Sequence, residues 1–414
     1  MKRHYFILLT LFFSYISTIA QDQIGFLGGH EDDVEVIALA PNGEFIATGS
    51  YDNTIHVYLT DSMFTYMGSF TGHKGPVTSL SFSRDGKYLI SGSQDKRVIR
   101  WEIVEDSLWA GLYTELKKKE EYAYHSNQIV DVKYGPGMRM IFSADVSGTI
   151  VGYDIEKNIK RVVDTKNPLR AMEVSADRRF YFVADNTPVV RQLDILGKEI
   201  RTFEEHTDVI NDIAVSLNRQ YMVTASSDKT AIVWNLANGK VHQTLKGHTW
   251  KVTSVDISPD SKYVVTCSND GGTIVWDINT GEKLQEMSGL GYNARSVAMT
   301  GDNSTVITAL HFDRVGEEGY GAVAWATGIS PKSKTVSLPA GQMTPAMRKR
   351  LGLDKKKEPK KASELSPEVR KRLGLDKAAQ PKKSNPTPPK KKEEKKKDVI
   401  TTKDGVEISV EESE

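Results

Sequence analysis

The chain is 414 residues long, carries a formal net charge of +1 and contains a single cysteine, Cys267. One cysteine excludes an intramolecular disulfide and a cysteine-based zinc site, so stability has to come from burial alone. The charge is unevenly placed: residues 328–414 hold 23 Lys and Arg against 13 Asp and Glu, and the first 327 residues hold 32 against 41. An acidic body with a basic tail argues for a tail that interacts, and against a uniform polyanion binder.

The chain opens MKRHYFILLTLFFSYISTIAQ. Lys2 and Arg3 precede an apolar run from Tyr5 to Phe13, with small residues before a cut after Ala20. This pattern predicts a secretory signal peptide over residues 1–20. An uncleaved signal anchor is the alternative, since residues 5–20 approach the roughly 20 residues that a spanning helix needs. No other stretch is long and apolar enough to span a bilayer. The expected location is outside the cytoplasm, in the periplasm or at the surface of a bacterium.

Residues 72–101, GHKGPVTSLSFSRDGKYLISGSQDKRVIRW, and residues 247–277, GHTWKVTSVDISPDSKYVVTCSNDGGTIVWD, follow one plan. Each begins with Gly-His, alternates through a strand, turns at a polar Ser-x-Asp, alternates again, turns at an Asp and ends in a strand carrying Trp. His30, His73, His125, His206 and His248 mark the starts. Asp52, Asp95, Asp145, Asp185, Asp228 and Asp270 mark the turns, and Tyr58, Trp101, Tyr153, Leu193, Trp234, Trp276 and Trp325 the last strand. Seven units of about 40 to 50 residues predict an all-β fold, a seven-bladed β-propeller of four-stranded blades over residues 22–327. Residues 23–28 match the strand before His73 and have no blade of their own. They are expected to complete blade 7, closing the ring and removing an exposed sheet edge. Cys267, within YVVTCS, reads as a small buried hydrophobe.

These units resemble WD40 repeats. The resemblance implies a hydrogen-bonded tetrad in each regular blade, made of the His, a second-strand hydroxyl, the turn Asp and the Trp. Carried over, the sets are His73, Ser91 or Ser93, Asp95 and Trp101; His206, Thr224 or Ser226, Asp228 and Trp234; and His248, Thr266 or Ser268, Asp270 and Trp276. Blade 4 departs from the pattern, with Asn167 at the His position, Tyr181 and Val183 for the hydroxyls, and Leu193 for Trp. In blade 7 Leu290 replaces His and Asp313 falls late. Blade 3 keeps Ser143 and has Tyr153 for Trp.

Two insertions stand out, Arg314 to Gly321 in blade 7 and about ten residues between Trp101 and His125, assigned to KKKEEYAY ahead of blade 3. In the family both kinds of connection lie on one face that meets partners. Tyr51, Tyr122, Tyr124, Trp250 and Tyr320 are therefore candidate aromatic anchors there. The competing reading is that the tyrosines pack loop bases.

Motifs for chemistry have structural explanations. The Ser-x-x-Lys matches, Ser93 to Lys96 and Ser226 to Lys229, fall in equivalent turns, which a nucleophile would not do. The repeat histidines come one per blade and never at a metal-ligand helical spacing. No catalytic, cofactor or metal residue is assigned. An active site built from loops without a motif stays open as an alternative.

From about Lys332 the chain turns to Lys, Pro, Ser and Glu, a composition that cannot repay chain ordering and predicts a disordered basic tail over 328–397 with an acidic segment at 398–414. Two phrases differ, TPAMRKRLGLD at 344–354 and SPEVRKRLGLD at 366–376, identical at eight of eleven positions. Thr344 and Ser366 suit N-caps, Pro345 and Pro367 the first helical position, and Gly352 and Gly374 a left-handed end. Each phrase is too short to hold a helix alone. With Leu351 and Leu353 beside Arg348 and Arg350, and Leu373 and Leu375 beside Arg370 and Arg372, each predicts a docking motif that folds on an acidic, grooved partner. The eleven residues between them reach at most roughly 35–40 Å, which permits bivalent binding. The function expected is a non-catalytic interaction scaffold exported to the envelope, with proteins favoured over nucleic acid as partners. The alternatives are a polyanion or envelope-surface binder through the Lys-rich tail, and an unrecognised propeller enzyme.

Overall fold

The computed structural model describes residues 23–61, 63–106, 113–135, 139–175, 177, 179–288, 293–311, 320–329, 399–401 and 407–409. The expected signal at 1–20 and both tail phrases, with Arg348, Arg350, Leu351, Leu353, Arg370, Arg372, Leu373 and Leu375, lie outside the described residues. So do Leu290, Asp313 and most of the blade 7 insertion.

The alternating segments form strands, and the β-branched second strands, such as Tyr221–Ser226 and Tyr263–Ser268, are buried almost throughout because blades cover both their faces. Seven four-stranded antiparallel sheets result, with blades at residues 34–71, 77–122, 129–164, 169–204, 210–246, 252–287 and 293–326. Inner strands of successive blades pack together round the ring, blade 7 against blade 1. The strand Gln23–His30 supplies the fourth strand of blade 7, antiparallel to Tyr320–Ala326 with Phe26 opposite Val323 and Leu27 opposite Ala322. The core lies in the seams between blades, for example Val57, Leu80 and Trp101 between blades 1 and 2.

First-to-second-strand turns are built by their Ser-x-Asp sequence. The Ser83 hydroxyl donates to Asp85 at 2.6 Å and accepts the Tyr88 N–H at 2.9 Å, and Ser258 with Asp260 and Tyr263 repeats this. At the other end the second-to-third-strand turns place Lys96 and Lys229 at φ 73°. These turns share a face with the blade-to-blade connections, here the histidine face.

Blade 2 corrects the expected loop placement. Its extra residues lengthen the last two strands, Val98–Asp106 and Tyr113–Tyr122, which pair from Val98 opposite Tyr122 to Asp106 opposite Tyr113. The two strands therefore run out to Asp106 and Tyr113 at the end away from the histidines, and no long connection precedes blade 3. Cross-strand charge pairs hold this register at the histidine end: Arg100 lies 3.3 Å from Glu120, Lys119 lies 2.9 Å from Glu102, and Arg97 pairs with Glu121.

Register corrects blade 4. Leu169 pairs with Asp185 as Val77 pairs with Ser93, so the residue standing where regular blades have His is Thr165, not Asn167. The positions of the hydroxyl pair are likewise Val183 and Asp185, not Tyr181 and Val183. The Cα-paired strand end fixes the count, and the shortened turn had displaced it by two.

Beyond the ring, the described residues are one antiparallel pair, Val399–Thr401 with Glu407–Ser409. The β-branched run Val399-Ile400-Thr401 favours this extended pair.

Candidate interaction site

The histidine face is built on fixed turns. In blade 5 His206 Nδ1 lies 2.7 Å from Asp228, its Nε2 lies 2.7 Å from the Thr224 hydroxyl, and the Trp234 indole N–H donates to that hydroxyl at 2.9 Å. Blade 6 repeats this with His248, Asp270, Thr266 and Trp276, and blade 2 with His73, Asp95, Ser91 and Trp101. Of each hydroxyl pair the first joins the tetrad. The second, such as Ser93, accepts the Asp95 N–H at 3.0 Å and donates to the Gly75 carbonyl at 2.8 Å. The turn carboxylates resist protonation: burial works to raise Asp95, but bonds from His73 and nearby amides outweigh it and hold the group at about 2.

Irregular blades reach similar ends differently. In blade 1 His30 meets Asp52 and Thr48, both at 2.8 Å, while Tyr58 donates to the Gly28 carbonyl at 2.9 Å. In blade 3 Asp145 stands two residues early, at the end of the second strand, yet reaches His125 at 2.9 Å. In blade 4 Asn167 donates to Asp185 at 3.1 Å, and Arg191 lies 3.2 Å from the same carboxylate.

On this frame Trp250 stands 60% exposed in the connection that enters blade 6. The next N–H before it, that of Thr249, donates to the tetrad Asp270 at 2.7 Å, which fixes the Trp's base. Tyr51 and Tyr124 are also exposed, and Tyr320 is half-buried opposite His30. These four stand on different blades. Tyr122 is corrected: at 7% exposure it is buried in a three-ring cluster with Tyr124 and Tyr153, their ring centroids 5.8 and 4.9 Å away.

Sequence reasoning missed the charges of the central channel. Lys133 lies 3.6 Å from Asp131 and 3.2 Å from Glu173, and Asp212 and Asp256 approach from blades 5 and 6. Burial pushes Asp212 and Asp256 each up to about 6, although Lys133 and the bonds they accept pull the other way. Burial alone would lower Lys133, but Asp131, Glu173 and Asp212 raise it above the ordinary lysine range. The available signal was Asp, Lys or Glu at alternate positions of inner strands, as in Ile129–Tyr134. Each aspartate ties blades together. Asp131 accepts the Ser79 hydroxyl at 2.6 Å and Asp256 the Met299 N–H at 3.0 Å. At the channel's mouth between blades 7 and 1, His311 pairs with Asp33, and Glu35 lies 3.8 Å from Arg295.

His30, Asp52 and His56 bring three ligand-type atoms within 4.8 Å of one another. Both His30 nitrogens already serve the tetrad, so holding a metal there would dismantle blade 1's own bonds. Among the described residues no helix is long and apolar enough to cross a membrane.

The family model for the WD domain, G-beta repeat, matches residues 21–58, 64–102, 197–235 and 239–277. These four segments are WD40 repeats. The four matched segments end in the third strands of blades 1, 2, 5 and 6, where His and turn Asp stand 22 residues apart. Blade 3 and the first three strands of blades 4 and 7 lie outside the matches, and in blades 3 and 4 the carboxylate comes two residues early. No curated protein matches the chain. WD40 propellers are typically protein-interaction scaffolds and usually non-catalytic.

Proposed function

We propose that this WD40 propeller is a non-catalytic interaction scaffold exported to the bacterial envelope, docking one partner on the histidine face and another through the tail phrases at 344–354 and 366–376. One observation carries the first half: Trp250, a large amphipathic ring, is 60% exposed on a connection whose backbone a buried tetrad holds still. A rigid exposed aromatic offers contact area at little ordering cost. Tyr51 and Tyr124 extend the same face. The signal-like opening supports export, and the duplicated caps, leucines and arginines support tail docking.

The test is a pull-down from envelope extract with the full chain, Trp250→Ala, and Leu351→Asp combined with Leu373→Asp. Trp250→Ala is expected to lose one set of partners and the double variant a different set. Full retention by the double variant would end the tail reading, and full retention by Trp250→Ala the face reading. Binding that ignores both but collapses steeply with salt would instead favour a polyanion binder.

A further inference from the structure

The residue before the third-strand aromatic faces the next blade, and its identity decides whether that seam is closed. Register places Val57, Arg100, Gly152, Gln192, Val233, Val275 and Ala324 in this position in blades 1 to 7. The three valines and the alanine are fully buried and seal their seams. Arg100 is satisfied by the Tyr134 hydroxyl at 3.0 Å and by Glu120. Gly152 has no side chain, and a cleft of about 310 Å³ opens beside it.

Gln192 is different again. It is only 6% exposed, and its Oε1 has no hydrogen-bond partner among the described residues. A buried acceptor without a donor is destabilising, so a polar residue where four blades have Val or Ala needs a reason. It lines a cleft of about 660 Å³ between blades 4 and 5, open on the face opposite the histidines. This volume lies within the usual range for a ligand site.

The mouth of the cleft indicates what fits. Arg201 donates to the Leu236 carbonyl at 3.1 Å, Arg219 lies 3.2 Å from Asp177, and the Arg179 guanidinium sits over the Phe180 ring. Two of these arginines, Arg201 and Arg219, line the cleft against one aspartate, which makes its mouth cationic on an otherwise acidic body. Ile200 in the wall is apolar and exposed, and so is Leu217, which precedes the lining Asn218 in the chain.

We propose that the cleft between blades 4 and 5 is a second docking site that takes an extended acidic peptide of a protein partner. An amide or hydroxyl of the peptide donates to Gln192 Oε1, a carboxylate lies between Arg201 and Arg219, and an apolar side chain covers Ile200 and Leu217. The site is separate from Trp250 and from the tail phrases.

The experiment screens the full chain against a library of capped hexapeptides, with affinities of selected peptides measured by fluorescence anisotropy. The selected peptides are expected to combine Asp or Glu with a Leu or Val. Their binding should weaken at least tenfold in Gln192→Val, which installs the sister blades' residue, and in Arg219→Glu, an exposed change that leaves the core alone. Trp250→Ala should bind them as the wild type does. Selection of basic peptides, failure to select any, or binding unchanged by Arg219→Glu and by folded Gln192→Val would overturn the proposal.

Discussion

The Ser254 hydroxyl of blade 6 donates to Asp212 of blade 5 at 2.7 Å, and the Val255 N–H joins it at 3.0 Å. The seam is thus fastened through a carboxylate that burial pushes up to about 6. An unfolded aspartate titrates near 3.9, so folding opposes this ionisation. The group's contribution is fullest below about pH 4 and declines as pH rises through 6. Asp212→Asn, which cannot ionise, is expected to gain on the wild type by about 1–3 kcal/mol between pH 4 and pH 8. Urea unfolding at a series of pH values reads this difference directly. A difference that stays constant with pH would remove the role assigned to Asp212.

The tetrads titrate in the opposite sense. Burial works to raise Asp228, but bonds from His206, Thr230 and the Thr207 N–H hold it well below the usual carboxylate range. Its stabilisation is present above the unfolded value near 3.9 and is lost as pH falls below it. Thr224→Val keeps the side-chain shape while leaving the Trp234 N–H and His206 Nε2 without their shared partner. The expected cost is about 2–4 kcal/mol. Ser147→Ala in blade 3, which removes one of several bonds to Asp145, should cost under about 1.5 kcal/mol. Comparable losses in the two variants would show that the tetrad is no special fastener.

Much of the ring was legible because its landmarks are forced by chemistry. A buried Trp needs an acceptor and a buried His needs partners on both nitrogens, so Trp234, Thr224 and His206 must recur at fixed spacing. The closing strand was legible because Leu27 stands three residues before its His, as Phe70, Phe203 and Leu245 do in their own outer strands. The departures were not. In blades 3 and 4 the carboxylate moves two residues, from turn to strand end, and only Cα pairing reveals that Asp145 and Asp185 stand where Ser93 does. The direction of the blade 2 insertion depended on cross-strand partners such as Arg100 and Glu120, which a strand read alone does not display. Tyr122 looked like an exposed tyrosine until Tyr153, on a neighbouring blade, was placed against it.

Cys267 tests the core between blades 6 and 7. It is fully buried, the Thr253 hydroxyl is 3.3 Å from its sulfur, and burial pushes the thiol up to about 12. A thiol reagent needs both access and thiolate. Under native conditions an aromatic disulfide reagent is expected to react only through unfolding, with a rate that follows global stability as urea is added. Rapid reaction in buffer would mean that this seam opens locally.

The ring's closure depends on a close approach of two glycines. Gly28 on the N-terminal strand lies opposite Gly321 on the third strand of blade 7, and a Cβ on Gly321 would run into the Leu27 carbonyl oxygen. That oxygen belongs to backbone and cannot swing aside. The Leu27 side chain is itself fully buried in the seam with Ile46 and Tyr58 of blade 1, so the strand cannot slide away without exposing it. Gly321→Ala should therefore loosen the pairing of Gln23–His30 while leaving blades 2 to 6 in place. Amide exchange is the measurement. Protection is expected to fall at residues 23–30 and 320–326 well before it changes at Tyr221–Ser226 in blade 5. Because Tyr58 bonds the Gly28 carbonyl at 2.9 Å, blade 1 should lose protection next, and an even loss round the ring would show that closure is not held at this point.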